Sequence, residues 1–169
     1  HWGPVVQFGD SPLYALRWVA YDDIAVNFRL MQLEQTLTVD QALQLAPKVG
    51  VPAQNLLVAD SRGNIGWSII GPIPKRQLND FDTAQDWSDG SQGWLGYYSP
   101  EQQPQLSGSE RLWTANARMI GGEAYQLIGN GGYDLGARSW QIHQGLNALK
   151  HADEQALHQI QLDNRALML

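Results

Sequence analysis

Two short apolar runs separated by a cluster of turn-forming residues constrain this chain more than any other feature. Leu56 to Ala59 and Ile65 to Ile70 are rich in apolar and β-branched side chains. Between them, Asp60-Ser61-Arg62-Gly63-Asn64 supplies residues that accept tight-turn dihedrals. The pattern predicts two antiparallel strands. Asn55 stands at the mouth of the first, where its carboxamide can offer two N–H donors. Arg76 lies just past the second, after Pro72 and Pro74 have stiffened the exit and removed two backbone donors. On spacing alone, Asn55 reads as a strand cap and Arg76 as a solvated surface charge.

Composition narrows the function classes. The chain has 169 residues, 43% of them hydrophobic, which is one domain's worth and enough to bury a core. A formal net charge of -6 with no cluster of Lys and Arg argues against nucleic acid or an anionic membrane as partner. Cysteine is absent, so neither a disulfide framework nor a thiolate metal site is available. No apolar run approaches the ~20 residues of a membrane span.

Along the chain the predicted elements are mixed. Pro4 to Phe8 and Leu13 to Ala20 read as strands around the turn Gly9-Asp10-Ser11-Pro12. Asp22 and Asp23 precede a predicted helix from Ile24 to Leu33, with Ile24, Phe28 and Met31 at helical intervals. Thr38 with Gln41 forms a capping box for a second helix through Ala46, stopped by Pro47 and Gly50. Residues 77–108 read as a long irregular excursion packed by its own aromatics. Arg111 to Ala117 returns to strand character, and Gly121 to Gly132 reads as a glycine-rich loop. Asp134 is expected to cap a helix from Leu135 to Leu149, and Asp153 another to about Leu162. The fold class is α+β: a sheet-forming part over 1–134 and the start of a helical part over 135–169, together one partial domain.

Several strings then carry a resemblance. Pro52-Ala53-Gln54-Asn55, the hairpin Ala59-Asp60 to Gly63-Asn64-Ile65-Gly66, and the exit Gly71-Pro72-Ile73-Pro74-Lys75-Arg76 are similar to the middle of the large chain of penicillin acylases (penicillin amidases). Further matches follow in order. They are Gly3-Pro4-Val5-Val6, Leu16-Arg17-Trp18, Trp94-Leu95-Gly96-Tyr97 with Pro100 and Pro104, Leu112 to Arg118, Gly136-Ala137-Arg138 with Gln141-Ile142, and Gln161-Leu162-Asp163. The resemblance implies an N-terminal-nucleophile hydrolase with a four-layer core, two stacked antiparallel sheets between helical layers. Here that core is expected to be incomplete.

In that family a serine freed at the start of the large chain attacks the amide, with its own α-amine as base. This chain begins at His1 and holds no such serine, so it is expected to be an excised internal segment, inactive alone. Its implied partners are the remaining segments of one precursor, the small chain and the nucleophile-bearing start of the large chain, together with a small-molecule amide substrate. No cofactor is implied. The resemblance gives Asn55 the part of oxyanion donor and Arg76 that of a positioning residue near the nucleophile. Gln54 has no evident task beyond orienting its loop. Asn116 falls in a recurrent family strand, but Ala117 replaces what is often a second asparagine. Family members are usually exported, which implies a periplasmic or secreted location. Uncovered sheet edges and apolar faces in such a segment predict self-association.

Other chemistry is weaker. His151 and His158, seven residues apart, lie about 10 Å apart along a helix, too far to chelate one ion, and with His143 they read as solvated. Gly129 to Asp134 lacks both the dinucleotide fingerprint and the P-loop lysine. Asp80, Asp82, Asp86 and Asp89 do not have calcium-loop spacing, and no metal is assigned. The alternative function is a carbohydrate-binding or other non-catalytic interaction domain. It rests on the 7 tryptophans and requires Trp87 and Trp94 to present an exposed flat face.

Overall fold

The computed structural model describes residues 3–77, 83–89, 93–108 and 110–168. The predicted central hairpin is its organising element. Strand β3 (Gln54–Ala59) pairs antiparallel with β4 (Ile65–Ile70) in a register that sets Asn55 opposite Ile69 and Leu57 opposite Trp67. Alternate residues of a strand face opposite sides, so the hairpin feeds two separate cores. On one side Ile70 and Leu56 pack with Ala46, Val49, Leu33, Leu45 and Val51. On the other, Trp67 and Ile69 join Ile73 under Tyr98, Leu112, Met119, Leu127 and Ile128. Burial of both faces explains why β4 is an almost unbroken apolar run.

Helix α1 (Val39–Leu45) lies against β3 and β4. Its close approach depends on Gly66, where an added Cβ would stand 2.5 Å from Val39 Cγ1 and 3.0 Å from Leu43 Cδ1. The predicted capping box is half formed. Thr38 Oγ1 accepts from Gln41 N at 3.3 Å, while Gln41 Oε1 accepts from Leu37 N rather than from the cap residue itself.

At the start of the chain, β1 (Val5–Val6) and β2 (Tyr14–Ala15) form the expected hairpin, but it is only two residues deep. The helix expected over Ile24 to Leu33 is instead two 3-10 stretches, Asp23–Ala25 and Phe28–Gln35. Asn27 makes the break: its Oδ1 accepts from Arg29 N at 3.0 Å and from Gly50 N at 2.9 Å, competing with helical bonding.

The described residues of the aromatic excursion, which leave out 78–82 and 90–92, hold strands that were not expected. Strand β5 (Pro74–Arg76) pairs with β6 (Trp94–Tyr97), and β7 (Gln105–Ser107) adds to the outer side of β4. The segment 111–117 forms no strand, contributing only an isolated bridge between Ala117 and Asp134. Part of the supposed loop from Gly121 is helix α2 (Gly122–Ile128), held by Leu127 and Ile128 against the Trp67 cluster. Helix α3 (Ala137–Ala148) is entered through Gly136 in the left-handed region, φ 88. Asp134 pairs with Arg138 rather than capping the helix. Helix α4 (Glu154–Gln161) is capped as expected, with Asp153 accepting from Ala156 N at 2.8 Å, and packs on α3. All ladders between named strands are antiparallel, and the architecture is α+β.

Gly71 closes β4 at φ 101, and a Cβ there would stand 2.3 Å from Val51 O. Gly71→Ala is expected to cost about 1–3 kcal/mol from backbone strain alone, lowering Tm by roughly 2–12 °C. Thermal unfolding followed by circular dichroism reads this directly.

The hairpin turn is held by one carboxylate. Asp60 Oδ1 accepts from Arg62 N at 2.9 Å and Asn64 N at 3.1 Å, and Oδ2 from Val39 N at 3.3 Å. The Asn64 side-chain amide contributes most to holding this carboxyl down at about 2, with the backbone donors adding to it. An unfolded Asp titrates near ~3.9. The stability Asp60 contributes is therefore complete above that value and is lost as pH falls through about 2. Asp60→Asn should flatten the stability profile between pH ~4 and ~2. Urea unfolding at a series of pH values is the measurement, and an unchanged slope removes Asp60 from the account.

Candidate functional site

Asn55 is the second residue of β3, with its side chain exposed on the face shared with Trp67 and Ile69. The diagonal neighbour across the ladder is within reach of a large ring. Trp67 Nε1 donates to Asn55 Oδ1 at 2.9 Å. An indole nitrogen only donates, so the carboxamide can meet it only with its oxygen. The NH2 end of Asn55 is thereby turned away, with no hydrogen-bond partner among the described residues. Trp67 is itself immobilised, 5% exposed within the apolar cluster. The donor is aimed by the core.

Arg76 ends β5, opposite Trp94 of β6. Its Nη1 donates to Ile128 O at the end of α2, at 3.0 Å. Burial lowers its pKa from the ordinary arginine value, against the pull of Tyr98 and Tyr133. A guanidinium remains a cation through that shift.

Asn55 and Arg76 line one open cleft of about 1310 Å³, floored by Trp67, Ile69 and Ile73. The sequence-predicted pair is thus brought to a single concavity. Gln54 also lines it, exposed on β3.

One wall of the cleft went unseen in the sequence. Arg17 Nη1 and Nη2 donate to the two oxygens of Asp22 at 2.7 and 2.8 Å, and the Tyr97 hydroxyl donates to the same carboxylate. The Arg17 guanidinium then lies over the Trp94 ring, 4.4 Å from its centroid. Hydrogen bonding from Arg17 holds the Asp22 carboxyl below its usual range, while burial, with Asp22 adding to it, pushes the Tyr97 phenol up. The motif Leu16-Arg17-Trp18 was the only signal, and it named no partner. With Arg17 on its face, Trp94 does not offer the bare platform that a carbohydrate-binding domain requires, and Trp87 is half-buried.

The remaining candidates are placed as follows. His143 is not simply solvated: it stacks on Trp113 at 4.5 Å and meets Asn147 Nδ2 at 2.8 Å. His151 and His158 are exposed. Asp80 and Asp82 lie outside the described residues, and Asp86 accepts from Ser88 N in its own turn. No cluster of potential metal ligands occurs among the described residues, and no helix among them is long and apolar enough to cross a membrane.

An oriented amide and a half-buried guanidinium therefore line one cleft. The family model described as penicillin amidase matches residues 1–169, and the chain belongs to that family. Membership implies an acylase-like hydrolase of amides. No curated protein sequence matches it.

Trp67→Phe keeps the ring in the cluster and removes the N–H that fixes Asn55. The loss of one hydrogen bond should lower stability by about 1 kcal/mol. Denaturant unfolding checks this, and no loss in the variant detaches the indole from the orientation of Asn55.

Proposed function

We propose that this chain supplies part of the catalytic site of a penicillin acylase-like amidohydrolase whose N-terminal serine nucleophile comes from another segment of the same precursor. The observation that supports the reading is the Trp67–Asn55 hydrogen bond, because it fixes the oxygen of a cleft-lining carboxamide and leaves its NH2 donors to meet a ligand. When the serine hydroxyl adds to the amide carbonyl, the carbonyl oxygen gains negative charge. The Asn55 NH2 meets it without itself carrying a charge that overbinds the neutral substrate. A donor already fixed in place requires no reorganisation as the charge develops. Arg76 serves as the positioning group. Its cation persists at working pH, so it takes no part in proton transfer.

In this reading the small antiparallel sheets are parts of a four-layer αββα core completed by the small chain and the nucleophile-bearing start of the large chain. Phe28 at 88% and Leu37 at 80% exposed, together with the open edge of β3, are surfaces suited to such neighbours. The same surfaces support self-association of the isolated chain, which alone is inactive. The complete enzyme belongs to the periplasm or the secreted fraction.

The test is expression of the complete gene product with and without Asn55→Ala, followed by assay on phenylacetyl and aliphatic amides. Turnover should fall by ~10²–10³ with KM little changed. Unaltered kcat in the variant removes Asn55 from the oxyanion site.

A further inference from the structure

A second carboxamide in the cleft is oriented by the same chemical logic as Asn55. Asn116 lines the cleft from the segment between β7 and α2. Among the described residues it is the one non-glycine with positive φ, at 58. Its backbone oxygen accepts from Asp134 N at 2.9 Å, which holds that conformation from outside the turn. Its Oδ1 accepts from Arg138 Nη2 at 2.7 Å. A guanidinium, like an indole, only donates, so the oxygen must face Arg138. The NH2 end is left with no partner among the described residues. Arg138 is in turn steadied by Asp134 Oδ2 at 3.3 Å, one helical turn before it. A left-handed asparagine and a charged residue spent on orienting its carboxamide occur together at a cleft wall. A plain loop asparagine needs no such charged partner.

We propose that Asn116 is a substrate-binding residue that takes an acceptor oxygen of the amide substrate other than the scissile carbonyl, and that Arg138 is the residue that positions it. The ligand chemistry is a carbonyl or carboxylate oxygen, carried either by the leaving amine or by the acyl chain. The inference rests on the cleft being the substrate site proposed above.

The test uses the complete enzyme bearing Asn116→Gly, Arg138→Met or Arg138→Lys. Glycine accepts φ 58 without strain, so the first variant removes the carboxamide and spares the backbone. Two pairs of amides are compared, one pair differing by a carboxylate on the leaving amine and the other by a carbonyl in the acyl chain. For the member carrying the recognised oxygen, Asn116→Gly should raise KM by about tenfold with kcat within about twofold. Its oxygen-free counterpart should be unaffected, and the affected pair identifies the source. Arg138→Met should act in the same direction, with Arg138→Lys restoring part of the loss. A merely structural role would shift all four substrates alike, and that result or no shift at all overturns the proposal.

Calorimetric titration of the same amides into protein carrying Asn55→Ala, with and without Asn116→Gly, reads affinity without turnover. A Kd difference, where the enzyme with Asn55 intact turns over no amide, sinks the hydrolase reading alone. Turnover with equal KM and equal Kd sinks the Asn116 inference alone. Absence of both sinks both.

Discussion

The N–H of Trp67 meeting the oxygen of Asn55 at 2.9 Å is the contact on which the site's geometry turns. It converts packing into chemistry. A carboxamide has a donor end and an acceptor end of nearly equal shape, and nothing in its own rotamer preferences decides which faces a ligand. The indole decides, because it can offer only a proton. The indole is reliable because Trp67 is wedged with Ile69 and Ile73 beneath α2 and Tyr98, while the opposite face of the hairpin is locked by Ile70 and Leu56 against Ala46 and Val49. A one-residue slip of β3 against β4 would exchange these faces and remove Asn55 from its partner. Two cores therefore fix a single polar tip.

That dependence explains what was legible in the residues. The hairpin was readable because its strands, its turn and its glycine lie within a short stretch, and local rules govern each. Asn55 and Arg76 had addresses in the sequence because the strings that carry the family resemblance contain them; their place beside the hairpin alone read as a strand cap and a solvated charge. Their partners had none. Trp67 is 12 residues from Asn55 on a ladder diagonal that exists only once register is set, and the carbonyl of Ile128 that receives Arg76 is 52 residues away. The Tyr97 contact with Asp22 spans 75. Such pairings arise from packing, which no periodicity reports.

The misread elements have local causes of the same kind. Helix α2 sits among Gly121, Gly122 and Gly129, whose composition signals a loop; its stability comes from Leu127 and Ile128 entering the Trp67 cluster. The run from Ile24 carries a helical period, yet Asn27 prefers to bond Gly50 across the fold and leaves the run as separate 3-10 turns. Arg111 to Ala117 has strand composition but gains only one bridge, because the backbone at Asn116 turns into the left-handed region.

Around the cleft of this protein of net charge -6, most of the positive charge is paired. Of the four arginines that line it, three are answered by a carboxylate, Arg17 by Asp22, Arg138 by Asp134 and Arg165 by Asp163, while Arg76 donates to the carbonyl of Ile128. Paired in this way, a guanidinium can give direction to a neighbour, as Arg138 does for Asn116. Beside the Arg76 cation, the cleft is lined by two neutral amides, Asn55 and Asn116, each with its oxygen met by a group that can only donate. Such donors gain most when the oxygen they meet becomes more negative than it was in the ground state, which is the condition for lowering a barrier rather than merely tightening a complex.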